Sequence, residues 1–205
     1  MDDFFTLAII LSLFTFTMTT TLSPGPNNIL VLSSGLTYGY KKTLPHMLGV
    51  IIGFPLMVIL IGLGAGIVFE KFPFVLDILK YLGILYLLWM AYKIVSATNN
   101  YEINEETSSK PFTFIQSALF QWVNPKAWIM GMTVISIYVN TKEDSFYQIL
   151  TIACMYFFTT LIGMNIWVAG GVFLKRFISN ARFVKNLNRG LAFTLILSIL
   201  PVLFN

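Results

Sequence analysis

The chain has 205 residues, 57% of them apolar and only 11% charged, and carries a formal net charge of +4. Soluble domains are nearer half apolar and a quarter charged, and so short a chain has no interior that could hide the excess, which excludes a soluble fold. A pI of 9.2 does not indicate nucleic acid either, because the basic residues flank long apolar runs where lipid head groups account for them.

Six apolar segments follow in chain order, at 4–36, 44–69, 74–96, 112–139, 146–174 and 187–204. A helix rising about 1.5 Å per residue needs about 20 residues to cross about 30 Å of hydrocarbon. The first segment is too long for one straight helix, the last is slightly short, and segments two to five suffice. Met1-Asp2-Asp3 is acidic where a signal peptide is basic, and the run 4–22 leads into Ser-Pro-Gly-Pro without a small-residue cleavage site. It is therefore expected to remain as a first helix. Residues 97–111, with Glu102, Glu105 and Glu106, form the one substantial hydrophilic connection. They divide a single domain, 1–205, into halves of about 1–96 and 112–205.

The charges set an expected orientation. Lys41, Lys42, Lys93, Lys110, Lys175, Arg176, Arg182, Lys185 and Arg189 fall on one side, against Lys71 and Lys142 on the other. The side with nine is assigned to the cytoplasm, which puts both termini outside. Three helices per half then enter the membrane from opposite sides. The expected fold is an all-α integral membrane protein of six transmembrane helices, arranged as two inverted three-helix repeats whose first helices are each broken at proline.

The breaks are Ser23-Pro24-Gly25-Pro26-Asn27-Asn28 and Asn124-Pro125-Lys126. Paired interruptions in corresponding segments are the best sequence pointer to a transporter's binding site. Two prolines flanking a glycine cannot continue a helix, and in lipid the freed carbonyls need partners. Asn27 and Asn28 stand where an N-cap is wanted for a half-helix starting near Ile29, whose positive end suits a carboxylate. The alternative is an ordinary turn at the membrane edge, since 4–22 could span alone. Lys126 lies near the middle of its segment, about 20 Å from either end. A lysine at that depth costs about 2.5–3.5 kcal/mol and usually faces a cavity with a partner. An anionic substrate group fits that role, and so do the carbonyls freed by Pro125. Gln121 and Asn124 either complete a polar lining or satisfy the break.

Other positions have blander readings beside the functional ones. Gly49 and Gly53 form a small-residue packing motif. Tyr81, Tyr86, Trp89 and Tyr92 suit an interfacial belt, Lys93 should snorkel, and His46, just after Lys41 and Lys42, suits the head-group zone. Asn165, near Trp167, is either a satisfied packing amide or a substrate contact. One cysteine, Cys154, excludes a thiol relay, and the lack of a Cys/His cluster leaves no metal site and no expected cofactor. An enzyme would need an acid–base or nucleophile set, and no such grouping occurs; a scaffold would need neither a broken helix nor a midplane lysine.

At these residues the chain resembles the LysE/RhtB family of amino-acid exporters. The likeness runs from Ser23-Pro24-Gly25-Pro26-Asn27-Asn28 through 35–40 and Gly49-x3-Gly53. It continues through 81–93 and Phe120-Gln121-x2-Asn124-Pro125-Lys126, and is weaker after residue 140. Asn27-Asn28-Ile29-Leu30, Ser33-Ser34 and Asn165 near Trp167 make it most like the cysteine/O-acetylserine exporters, although Asn-Pro-Lys is shared with homoserine/threonine exporters. The resemblance implies efflux of a small amino acid across the inner membrane, driven by the proton-motive force. It places Pro24, Gly25, Pro26, Asn27, Asn124, Pro125 and Lys126 at motif positions. Asn28, Gln121 and Asn165 join them as candidate substrate contacts. The expected partners are the bilayer and an amino-acid substrate; nucleic acid is not one, and a homodimer is compatible with this layout.

Overall fold

A computed structural model describes residues 6–65, 71–72, 74–99, 111–139, 145–177 and 181–197. The acidic linker residues, Lys110, Lys142 and the last eight positions of the sequence lie outside that range. Among the described residues every regular element is a helix. Helix α1 covers Leu7–Leu22, α2 Pro26–Tyr38 and α3 Tyr40–Leu60, which runs on into a single π-helical turn, Ile61–Ala65. Then come α4 (Phe74–Asn99), α5 (Phe114–Val123), α6 (Pro125–Tyr138), α7 (Ser145–Phe177) and α8 (Ala181–Leu197).

Both expected breaks are present, and they share a cause. The residue before a proline is pushed out of the helical region into extended backbone. Ser23 (ψ 139°) precedes Pro24, Gly25 (φ −177°, ψ 176°) precedes Pro26, and Asn124 (φ −89°, ψ 109°) precedes Pro125. The chain turns by 58° between α1 and α2. Helix α2 starts at Pro26, so Asn27 and Asn28 lie in its first turn and Gly25 is the cap, a shift from the expected start near Ile29. Pro suits that first position because its missing N–H would have had no helical partner. The link from α2 to α3 is one residue, Gly39, whose φ of 79° belongs to the left-handed region that glycine enters freely.

Length and apolarity suit two of the described helices to crossing a bilayer, 40–64 and 145–175, and α1 with α2 makes a third candidate as a bent pair. At about 1.5 Å per residue the two measure roughly 37 and 46 Å. The outer surface has the character of lipid-facing protein. Along α3, Leu44, Leu48, Ile52, Leu56 and Leu60 recur every four residues and are exposed, while Met47, Val50, Phe54, Met57 and Val58 are buried. Thr17, Thr21, Asn28, Gln121, Asn124 and Thr160 are buried as well. An apolar rim around a polar middle reverses the usual soluble arrangement.

Packing centres on α7, which receives α1, α2 and α3, while α3 also packs on α5 and α4 on α8. The Gly49/Gly53 motif is a packing device. A Cβ on Gly49 would lie 2.3 Å from the Phe114 carbonyl oxygen, and one on Gly53 would lie 2.8 Å from Ala118 Cα. Backbone thus meets backbone where α3 crosses α5. His46 departs from its expected head-group position: it is 1% exposed and sits edge-on to Phe112 at 5.1 Å. Starting α3 at Tyr40 places His46 in its second turn, on the face turned toward the chain entering α5. The aromatic group on α4 divides: Tyr81 and Tyr92 are well exposed, but Tyr86 donates to the Gln116 carbonyl (2.8 Å) and stacks on Phe120. Lys93 rests its ammonium over the rings of Trp89 and Phe112.

Candidate translocation site

The first break frees carbonyls, and those of Thr20, Thr21, Ser23 and Pro24 each have a side-chain partner. The Ser23 hydroxyl donates to the Thr20 carbonyl at 2.7 Å. The Asn28 amide donates to the carbonyls of Thr21 and Ser23, both at 2.8 Å. The Lys126 ammonium donates to the Ser23 carbonyl and, at 3.3 Å, to that of Pro24. Carbonyls freed inside a packed bundle need such substitutes. Lys126 is thus held by carbonyls, as one of the two expectations required, but they belong to the first break and not to Pro125.

The second break supplies the lysine and its support. Asn124, 2% exposed, caps α6 by accepting from the Lys126 backbone N–H at 3.1 Å. Pro125 opens α6 as Pro26 opens α2. A reciprocal amide pair joins the two halves directly: Asn27 donates to Gln121 at 2.8 Å and Gln121 returns a bond at 3.3 Å. Gln121 is fully buried and also donates to the Ser117 carbonyl, so its orientation is fixed. The two breaks also approach closely at Gly25, since a Cβ there would sit 2.6 Å from Lys126 Cδ.

Between the breaks lies a cavity of about 30 Å³, room for one or two water molecules. Gly25, Asn27, Asn28, Asn124 and Lys126 line it, with Thr20 and Thr21 from α1, Val50 and Phe54 from α3, Ala127 and Met130 from α6, and Thr160 and Met164 from α7. Sequence reasoning found the first five and missed the rest. Nothing in an apolar run marks Thr160 or Phe54 as facing a cavity; only the packing of α3 and α7 against the breaks does so. Pro24 and Pro26 shape the backbone around the cavity without lining it, and Gln121 reaches it through Asn27. Asn165 is not among the lining residues. Its amide is occupied by the Leu161 carbonyl (2.7 Å) and by the hydroxyl of Tyr40.

The lining holds one cation, several amides and hydroxyls, and no carboxylate. Among the described residues no group of three His, Cys, Asp or Glu side chains could hold a metal ion. A chamber carrying polar groups between broken helices, inside a helical bundle with an apolar rim, is what a solute translocator requires. Comparison with known families agrees: the model of the LysE type translocator matches residues 18–202, and the chain belongs to that family. It is a multi-pass membrane transport protein, not an enzyme.

Curated relatives are similar over most of the chain. The cysteine/O-acetylserine efflux protein of Escherichia coli O157:H7 is 28% identical over 194 residues, which is 93% of this chain and 95% of that protein. The protein of the same name from Shigella flexneri is 29% identical over 192 residues, 92% and 94% of the two chains. That of Salmonella typhi is 29% identical over 165 residues, 79% and 82%. No solved structure matches.

Proposed function

We propose that the chain exports small neutral amino acids or close derivatives, of the cysteine, O-acetylserine, homoserine and threonine class, from the cytoplasm, driven by the proton-motive force. The observation that carries this reading is the single cation of the cavity, Lys126, bonded only to neutral carbonyls and faced by amides and hydroxyls. A zwitterion can exchange with those carbonyls. Its carboxylate takes the Lys126 ammonium and the first-turn N–H groups of α2, which lacks a side-chain cap. Its α-ammonium takes the carbonyls of Ser23 and Pro24 that Lys126 gives up. No carboxylate lines the cavity to receive a second positive charge, so lysine and arginine are disfavoured. A 30 Å³ cavity admits such a substrate only if the two breaks separate, which ties binding to movement.

The architecture that fits this function is six crossings as two inverted repeats, with both termini outside. Three features support it. The breaks arise from the same residue-before-proline mechanism in the first helix of each half. The half-helices α2 and α6 both begin at the cavity. Helix α1 of the first half packs on α7 of the second, and α5 of the second packs on α3 of the first, an exchange that a two-fold axis generates. The test is counterflow in proteoliposomes with labelled cysteine, O-acetylserine, lysine and arginine. Export of the first two and not of the others supports the reading, and export of lysine refutes it.

A further inference from the structure

Two hydroxyls in the cavity differ from the other buried threonines of their helices. A buried threonine in a helix ordinarily donates back to the carbonyl three or four residues earlier. On α1, Thr17 bonds Phe14, and Thr20 bonds Phe16 and Thr17; on α7, Thr159 bonds Met155. Thr21 and Thr160 are 5% and 2% exposed, and their hydroxyl oxygens have no hydrogen-bond partner. Both line the cavity. They are also near one another in the packing, because the Thr21 methyl lies against Gly163, one turn along α7 from Thr160.

Buried polar groups in native proteins are bonded, and an exception calls for a ligand or water as the missing partner. The lining also includes Val50 and Phe54 from α3 and Met164 from α7. The cavity thus offers Lys126 and the amides, which suit a carboxylate and an ammonium, together with two hydroxyls that have no partner.

We infer that Thr21 and Thr160 form a side-chain subsite that selects substrates with a hydrogen-bonding group on the β-carbon, a thiol, hydroxyl or acyl ester, over plain alkyl amino acids of the same size. Each hydroxyl can donate or accept, so the pair suits a thiol or hydroxyl, which does both, and an ester carbonyl, which accepts. A methyl in that position would leave both hydroxyls unbonded. The inference rests on the proposed export function and names a specificity within it.

Serine and alanine differ by the hydroxyl alone, and they make the test. Uptake into inside-out vesicles is measured for both labelled amino acids, per molecule of inserted protein, with the wild type, Thr21→Val/Thr160→Val and Thr21→Ser/Thr160→Ser. Valine keeps the shape and deletes the hydroxyl, while serine keeps the hydroxyl. The wild type should show a KM for serine lower than for alanine by about tenfold per hydrogen bond. That preference should collapse toward unity in the valine variant and persist in the serine variant. Equal KM values for serine and alanine in the wild type would overturn the subsite, and so would a valine variant that keeps the preference. Transport of labelled cysteine but of neither serine nor alanine by the wild type would overturn it as well, whereas a wild type that transports no cysteine would instead remove the export function on which the subsite depends.

Discussion

Replacing Gly25 with alanine tests whether the position of Lys126 matters, without touching the lysine. The backbone at Gly25 is extended, with φ at −177°, a conformation any residue adopts, so the substitution adds no backbone strain. Its whole effect is steric. The new Cβ would lie 2.6 Å from Lys126 Cδ, 3.0 Å from Nζ and 3.3 Å from Cε. Carbon atoms settle at about 3.5–4 Å, so the lysine must retreat by roughly 1 Å. Its bond to the Pro24 carbonyl is already at 3.3 Å and is lost first. A hydrogen bond to a charged group contributes about 1.5–3 kcal/mol, equivalent to about 10- to 150-fold in an equilibrium. Efflux of labelled cysteine per inserted molecule should therefore fall at least tenfold, because an ammonium displaced by roughly 1 Å loses a charge-assisted bond of that size to the substrate's carboxylate. Gly170→Ala, whose Cβ would meet nothing within 4 Å, is the neutral control. If Gly25→Ala exports at the wild-type rate, the close approach of the two breaks is incidental and the site assignment fails.

Three further outcomes follow from the fold. Gly49→Ala drives a Cβ to 2.3 Å from the Phe114 carbonyl oxygen, so α3 and α5 must part; a loss of about 1–3 kcal/mol should appear as a lower melting temperature in detergent, absent in Gly170→Ala. Changing Pro24, Gly25 and Pro26 together to alanine removes two prolines, each worth about 3 kcal/mol against helix. That variant should insert normally and lose efflux, and wild-type transport would reduce the break to a turn. A reporter fused after Asn205 should be extracytoplasmic and one inserted in 97–111 cytoplasmic; both on one side would dismiss the inverted halves.

What the sequence could reveal depended on how local the physics was. The break at 23–25 was legible because two prolines act on the residues just before them. Proline alone was not enough, since α3 runs unbroken through Pro45 and Pro55. The difference is the Pro-Gly-Pro spacing in one case and a capping Asn124 in the other. Lys126 could be singled out by depth, but not its partners, because the Ser23 and Pro24 carbonyls lie about a hundred positions earlier in the chain. Thr21 and Thr160 were invisible for the opposite reason. Threonine is ordinary in apolar helices, and only the contact of α1 with α7 shows that these two lack the usual bond to their own helix. His46 misled because neighbouring lysines mark a surface in sequence, while the helix face decides which side chains turn inward. Asn165 was ambiguous from sequence, and its amide turns out to be bonded to Tyr40 and Leu161.

The central claim is that Lys126 is the ion partner of a neutral amino acid's carboxylate. The most direct measurement is the export of labelled cysteine from proteoliposomes containing Lys126→Met, normalised to inserted protein. Methionine keeps the length and apolar volume of the side chain and deletes its charge, so insertion should be at least as efficient as in the wild type. Export should fall to a small fraction of the wild-type rate, with Lys126→Arg retaining part of it because a planar fork does not copy a compact ammonium. Full cysteine export by Lys126→Met would contradict the account.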